Sequence, residues 1–374
     1  MTTGNAAVLN KPNGSFAVEA FQVPEPAPGT VLLKMELAGC CATDAHCYLG
    51  WWKSEFPVIM GHENVGIVEA IGEGGRQDVL GRDLKVGDRV VARSSWCGSC
   101  YECRTLRMPR RCRNKKVSHG YTALETSPFS GGYGQYLYLA SPETTFIYKT
   151  EVPASRAVLH EPLGVATGAV RRAQPRLGET VVIQGCGAIG LFTLGVAKLA
   201  GAGRAIVVGG PPERLALARE FGADVTIDIT QIKTPEERTR AVLAETLGGA
   251  GADVVYGCVG LTSAFAEGIN YLRDMDGRFL EVGLASDNGT LPFNPCTMLV
   301  EKNATYIGAL GMNDQDNLSS IRMIESGRLP VEHVVSHQLT LDQVGEAMQS
   351  LNGDYRVNGQ PAFKLAIAPN GPVD

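Results

Sequence analysis

The chain has 374 residues, 44% of them apolar and 20% charged, and a net charge of −5. That length suits roughly two domains of about 150 residues each, with the composition of a globular protein. The mild acidity gives no pull toward nucleic acid or an anionic membrane, and neither partner is expected.

The opening stretch MTTGNAAVLNKPNG has no charged segment followed by an apolar core, so no secretory signal is expected. Residues 1–150 lack long helical periodicity. They read as short β-runs (VLLKMELAG, GIVEAIG, DRVVAR, GGYGQYLYLA) divided by Pro, Gly and Asp turns, hence a compact, mostly β domain. Of the ten cysteines, four fall within Cys97–Cys112 and two in GCCATD. With no signal, that clustering favours metal-bound thiolates in a cytoplasmic protein over a disulfide framework.

After Pro153 the pattern changes. Strand VVIQG, helix AIGLFTLGVAKLAG, strand AIVVG, helix PERLALAREFG and strand VTIDI follow one another from residue 181. A helix near 235–248, strand ADVVYGC, helix SAFAEGINYL and strand RFLEVG continue the series. Alternating strands and helices predict βαβ units and a doubly wound parallel sheet. The apolar stretch around 185–197 is broken by glycines and ends at Lys198, which suits a buried helix and is too short for a membrane span. TYIGAL, a helix near 314–327, helix LDQVGEAMQSL and strand AFKLAIA close the chain. The expected division is 1–155, 156–300, and 301–374 returning to the first domain.

Gly185-Cys186-Gly187-Ala188-Ile189-Gly190 fits G-x-G-x-x-G between a strand and an apolar helix. Gly185 permits the tight turn, Gly187 close approach of a pyrophosphate, and Gly190 close packing of helix on strand. The helix N-terminus offers free N–H groups to phosphate. An acidic residue that would hold the ribose diol is expected about 20 residues on. Gly209 stands there instead, and Arg214, five residues further, is the next cation. Both NAD and NADP remain open, with NAD the nearer fit.

Catalytic zinc commonly takes three protein ligands and keeps a position open. Cys41 offers a thiolate and His62 an imidazole; Glu161 or Glu63 can complete the set. Cys97, Cys100, Cys103 and Cys112, spaced C-x2-C-x2-C-x8-C, suit a tetrahedral structural zinc. The adjoining RTLRMPRRCRNKK is strongly basic, but the negative net charge and lack of interleaved aromatics favour a solvated lobe over a nucleic-acid contact.

Taken together, GCCATDAH, GHENVGIVEAIG, the four-cysteine cluster, EPLGVATGAV, the glycine fingerprint and FKLAI resemble the zinc-dependent medium-chain alcohol dehydrogenase family. The similarity is nearest to its polyol and threonine dehydrogenase branch. It implies a GroES-like mostly-β catalytic domain joined to a Rossmann domain, one catalytic and one structural zinc, and a homodimer or homotetramer. By position, Cys41 and His62 resemble zinc ligands, Glu161 the third ligand, and Glu63 the adjacent carboxylate able to join the shell. Thr43 corresponds to the hydroxyl that receives the alcohol proton and His46 to the relay to solvent. Asp44 would orient His62, and Lys364 would lie near the cofactor phosphates. The lobe departs from the family in its last gap, eight residues where seven are usual.

The implied activity is reversible oxidation of a secondary alcohol or polyol, with hydride passing to NAD(P). The alternatives are a zinc-independent reductase or a non-catalytic cofactor-binding protein on the same fold. Trp51 and Trp52 either line an apolar entrance or serve packing. Arg93 reads as an exposed arginine; facing the site, it would favour an anionic substrate group.

Overall fold

The computed structural model describes residues 2–284, 286–287 and 289–374, and every element below belongs to those residues. The chain divides into two compact units, Met1–Glu161 with Val331–Asp374, and Pro162–Pro330.

The first unit begins with strands β1 (Thr3–Leu9), β2 (Phe16–Gln22) and β3 (Val31–Gly39), then helix α1 (Ala42–Leu49). Strands β4 (Val58–Ile59), β5 (Glu63–Ile71) and β6 (Arg89–Ser94) precede the short helix α2 (Tyr101–Arg104). Strands β7 (Tyr136–Leu139) and β8 (Thr145–Lys149) and helix α3 (Ala154–Ala157) lead to α4 (His160–Ala173), whose first residues are the last of this stretch.

The second unit alternates as its sequence predicts: β9 (Thr180–Gln184), α5 (Ala188–Leu199), β10 (Arg204–Gly209), α6 (Pro212–Glu220), β11 (Val225–Asp228) and α7 (Pro235–Ala244). It continues through β12 (Val254–Gly257), α8 (Thr262–Gly268), β13 (Arg278–Glu281), β14 (Thr305–Gly308) and α9 (Asp314–Glu325). The first unit resumes with β15 (Val335–Leu339), α10 (Val344–Asn352), β16 (Arg356–Val357), β17 (Gln360–Pro361) and β18 (Lys364–Ile367).

In the second unit six strands lie in the order β11-β10-β9-β12-β13-β14, and every pair is parallel. That is the doubly wound order, with the crevice for a dinucleotide expected where the order reverses, at the carboxyl ends of β9 and β12. The strands read as continuous apolar runs because both faces are covered; Val182, Val255 and Phe279 have no exposed surface.

One boundary differs from expectation. Residues 301–330 belong to the second unit, and the return begins at Val331. The reason is pairing: Thr305–Gly308 aligns in parallel with Arg278–Glu281 as a sixth strand, and Tyr306 packs against that unit's core.

In the first unit a larger sheet runs β15-β18-β3-β5-β6-β8, with β7 also on β3. Its core includes Leu33, Met35, Ile59, Val68, Val90 and Tyr133. Register decides which side chains meet at one end of this sheet. Gly39 pairs with Glu63 on β5 and with Ala366 on β18, and the Cys40 N–H donates to the Leu365 carbonyl at 2.8 Å. Continuing that antiparallel register sets Lys364 across from Cys41.

Candidate active site

Cys41 is the N-cap of α1. Its sulfur accepts from the Thr43 N–H at 3.5 Å and lies 3.6 Å from Thr43 Oγ1. The Asp44 carboxylate accepts from the Cys41 N–H at 2.9 Å, closing a reciprocal capping box. The Cys41 sulfur thus sits where helix amides favour negative charge.

Asp44 is fully buried and answers two more distant demands as well. Its Oδ1 lies 3.0 Å from His62 Nδ1, and its Oδ2 accepts from the Tyr133 hydroxyl at 3.0 Å. Burial alone would raise the Asp44 carboxyl, but His62 and these donors hold it below its ordinary range. With Nδ1 committed to a carboxylate, Nε2 of His62 is the nitrogen left for a metal. Burial opposes charge on His62, and Asp44 overrides it, holding the imidazole pKa well above its usual value.

Cys41, His62 and Glu63 each offer a ligand atom, all within 4.8 Å of one another. Glu63 is fully buried. Its Oε1 accepts from Lys364 Nζ at 2.6 Å, and its Oε2 has no hydrogen-bond partner. A buried carboxylate oxygen without a donor, beside a thiol and an imidazole, fits a cation. Glu161 stands outside the 4.8 Å group. Burial pushes its carboxyl up, while the charges of His62, Lys364 and Arg93 draw it down and Glu63 pushes it further up.

Lys364 lies in the first unit on β18, 5% exposed, paired with Glu63. A buried ammonium needs an anion, and the register supplies this one.

Two tyrosines carry no signal in sequence. Tyr133 reaches Asp44, and Tyr121 lies with its hydroxyl 2.9 Å from His62 Nδ1 and its ring centre 5.3 Å from the imidazole. We expect Tyr121→Phe to release the metal to a chelator about tenfold faster. A release rate no different from wild type would show that Tyr121 does not steady the imidazole.

His46 stands on α1, with its ring centre 5.7 Å from that of Trp51. Burial lowers its pKa, which favours the neutral imidazole. Trp51 is largely exposed. Trp52 packs 6.4 Å from the Tyr121 ring, centre to centre. Arg93, expected at the surface, is buried.

Cys97, Cys100, Cys103 and Cys112 also bring four sulfurs within 4.8 Å of one another. All are free thiols. Backbone and side-chain N–H groups point at the sulfurs: Cys100 N and Asn114 Nδ2 each donate to Cys97 Sγ at 3.3 Å. Four thiols with converging donors fit a structural zinc, and the extra residue before Cys112 is absorbed by the short helical turn Pro109–Arg111.

In the second unit, Gly185 has φ +101° and Gly187 caps α5, so Ala188 and Ile189 open the helix. A Cβ on Gly190 would lie 1.9 Å from the Gly185 carbonyl oxygen, so helix and strand meet there without room for a side chain. Gly209 ends β10, and a Cβ on it would lie 2.5 Å from Cys186 Sγ. The thiol therefore excludes the acidic residue expected at that position. Arg214, on the first turn of α6, brings Nη1 to 3.8 Å from the Cβ position of Gly187.

Comparison with known proteins agrees with this geometry. The alcohol dehydrogenase GroES-like domain matches residues 27–151, and the zinc-binding dehydrogenase domain matches residues 188–326. The chain is 30% identical to the erythritol/L-threitol dehydrogenase of Mycolicibacterium smegmatis over 97% of each chain. It is 32% identical to the L-threonine 3-dehydrogenase of Bacillus subtilis over 92% of this chain and 94% of that one. Among solved structures, an alcohol dehydrogenase from Thermotoga maritima superposes with a TM-score of 0.87 at 29% identity, covering 99% of this chain and all of the other. The chain belongs to the zinc-dependent medium-chain alcohol dehydrogenases, enzymes that oxidise alcohols with a nicotinamide cofactor.

Proposed function

We propose that the substrate is a secondary alcohol or polyol, that Cys41, His62 and Glu63 hold the catalytic zinc, and that the cysteine lobe holds a second zinc. The observation that carries the reading is the convergence of thiol, imidazole and carboxylate within 4.8 Å, buttressed by Asp44 and Lys364. Relatives named for erythritol, threitol and sorbitol support the substrate class. When bound, the zinc supplies a Lewis acid for the alcohol oxygen and the nicotinamide an acceptor for hydride.

The chain's residues then bind, orient and move a proton. Asp44 fixes the His62 tautomer. Thr43 Oγ1, beside the Cys41 sulfur, takes the alcohol proton, and neutral His46 passes it to solvent. We assign the cofactor as NAD: Arg214 leans to the Gly187 turn, and no cation directly follows Gly209. The edge position of β14 in its sheet supports assembly into a homodimer or homotetramer. No helix among the described residues is long and apolar enough to cross a membrane, and a cytoplasmic location is proposed.

The test is metal content per chain together with absorbance at 340 nm over a panel of secondary alcohols and polyols, with NAD and NADP in parallel. About two zincs per chain and turnover preferring NAD are expected. One zinc, kept by the cysteine lobe, and no turnover on any alcohol would overturn the proposal in favour of a zinc-independent reductase or a binding protein.

A further inference from the structure

Gly209, the last residue of β10, stands where a carboxylate ordinarily holds the ribose diol of a dinucleotide. A Cβ there would lie 2.5 Å from Cys186 Sγ, so the thiol occupies that space. Burial raises the Cys186 pKa; the Gly210 backbone and the charge of Arg214 draw it down, and Asp228 pushes it up. The net direction is upward, which leaves a neutral thiol with no charge to offer a ribose.

The backbone beyond Gly209 gives an anion little to hold. The Gly210 N–H already donates to Cys186 Sγ at 3.2 Å. Pro211 caps α6 and Pro212 opens it, and a proline has no N–H to give. A helix start ordinarily welcomes phosphate, but here positions 210 to 212 bring no available donor.

A carboxylate enters from the neighbouring strand instead. Asp228 pairs with Gly209 in the parallel register of β10 and β11. Its Oδ1 accepts from the Thr230 N–H at 2.7 Å and lies 3.5 Å from the Cβ position of Gly210. With glycine at both 209 and 210, neither residue carries a side chain to shield the turn from this charge. Arg214 is a cation of the same neighbourhood, yet its Nη1 lies 3.8 Å from the Cβ position of Gly187, the glycine that admits the pyrophosphate. NAD and NADP both carry that pyrophosphate, so attracting it separates neither from the other.

We propose that Asp228, reaching across from β11, selects the cofactor. Its charge repels a 2′-phosphate, and the Gly210–Pro212 turn beside it supplies no backbone donor to offset the repulsion. The missing acid of β10 is thus replaced in function by one on the adjacent strand. The proposal rests on the dehydrogenase reading and its assignment of NAD, and it names the residue responsible. Glu213, the nearest other carboxylate in sequence, is an exposed side chain on the first turn of α6, where water and salt screen it.

The experiment measures dissociation constants of NADH and NADPH by nicotinamide fluorescence on the zinc-loaded full chain. The wild type is expected to bind NADH at least about 30-fold tighter than NADPH at about 0.02 M salt, with the gap narrowing severalfold at about 0.5 M. Asp228→Asn keeps an oxygen for the Thr230 N–H and removes the charge. It should tighten NADPH about tenfold, leave NADH within about twofold, and remove most of the salt dependence of the gap. Glu213→Gln should change neither constant.

An unchanged NADPH-to-NADH ratio in Asp228→Asn, or a shift found in Glu213→Gln instead, overturns the proposal while leaving NAD as the cofactor. Should Asp228→Asn fail to fold, a wild-type gap equal at both salt concentrations overturns selection by charge. A wild type that binds NADPH the more tightly overturns the assignment of NAD and this proposal with it.

Discussion

Cys41→Ser is expected to lower kcat by about two to four orders of magnitude, while NAD binding to the glycine turn persists. Lewis-acid stabilisation of a developing alkoxide is worth several kcal/mol, and each 1.36 kcal/mol is about tenfold in rate. Serine is a poor zinc ligand at neutral pH, yet it is a good helix cap. The hydroxyl can accept from Thr43 N as the sulfur does, so α1 should survive the change. The variant therefore separates metal chemistry from folding. Zinc per chain should fall by one, and cofactor affinity, read by quenching on titration, should hold. Turnover retained near the wild-type level would rule out a catalytic role for a metal at Cys41.

Lys364→Met is expected to destabilise the first unit by about 3–5 kcal/mol in metal-free protein. Methionine keeps the length of the side chain and removes its charge, leaving the fully buried Glu63 carboxylate without its cation. The cost lies in that stranded charge, so Glu63→Gln combined with Lys364→Met should recover most of it. All three tryptophans, Trp51, Trp52 and Trp96, lie in the first unit, and urea unfolding followed by their fluorescence reads that unit alone. A double variant no more stable than the single one would show that the pair is not coupled.

Much of the site was legible because its chemistry sits in short local patterns. Cys41, Thr43, Asp44 and His46 fall within one helical turn and its cap, and Gly185, Gly187 and Gly190 within one strand-to-helix turn. What escaped depends on register and long-range packing. Tyr133 meets Asp44 across 89 residues and Tyr121 meets His62 across 59, and nothing about an isolated tyrosine predicts such a meeting. The pairing of Lys364 with Glu63 escaped because it is fixed by two strand pairings, β18 on β3 and β3 on β5, each set by the whole strand. Arg93 was read as exposed because a charged residue in a strand normally faces water; two aromatic rings instead give it a seat inside. The boundary near 301 failed for a simpler reason: β14 and α9 carry the same periodicities as the elements before them, and sequence does not reveal which sheet a strand joins.

The discontinuous first unit has a consequence for how the molecule is made. On the ribosome, residues 162–330 emerge as one uninterrupted block and can close while the first unit still lacks β15 and β18. Until Val335–Ile367 arrives, the Ala38–Gly39 end of β3 waits with an unpaired edge, and Glu63 waits without its ammonium. Domains usually mature in the order of synthesis; here the later one can finish first. Edge strands left open in this way invite pairing with other chains. The nascent protein is therefore most exposed to misassembly beside Cys41 and Glu63, the place where an early metal ion would find two of its ligands and a carboxylate still in search of a cation.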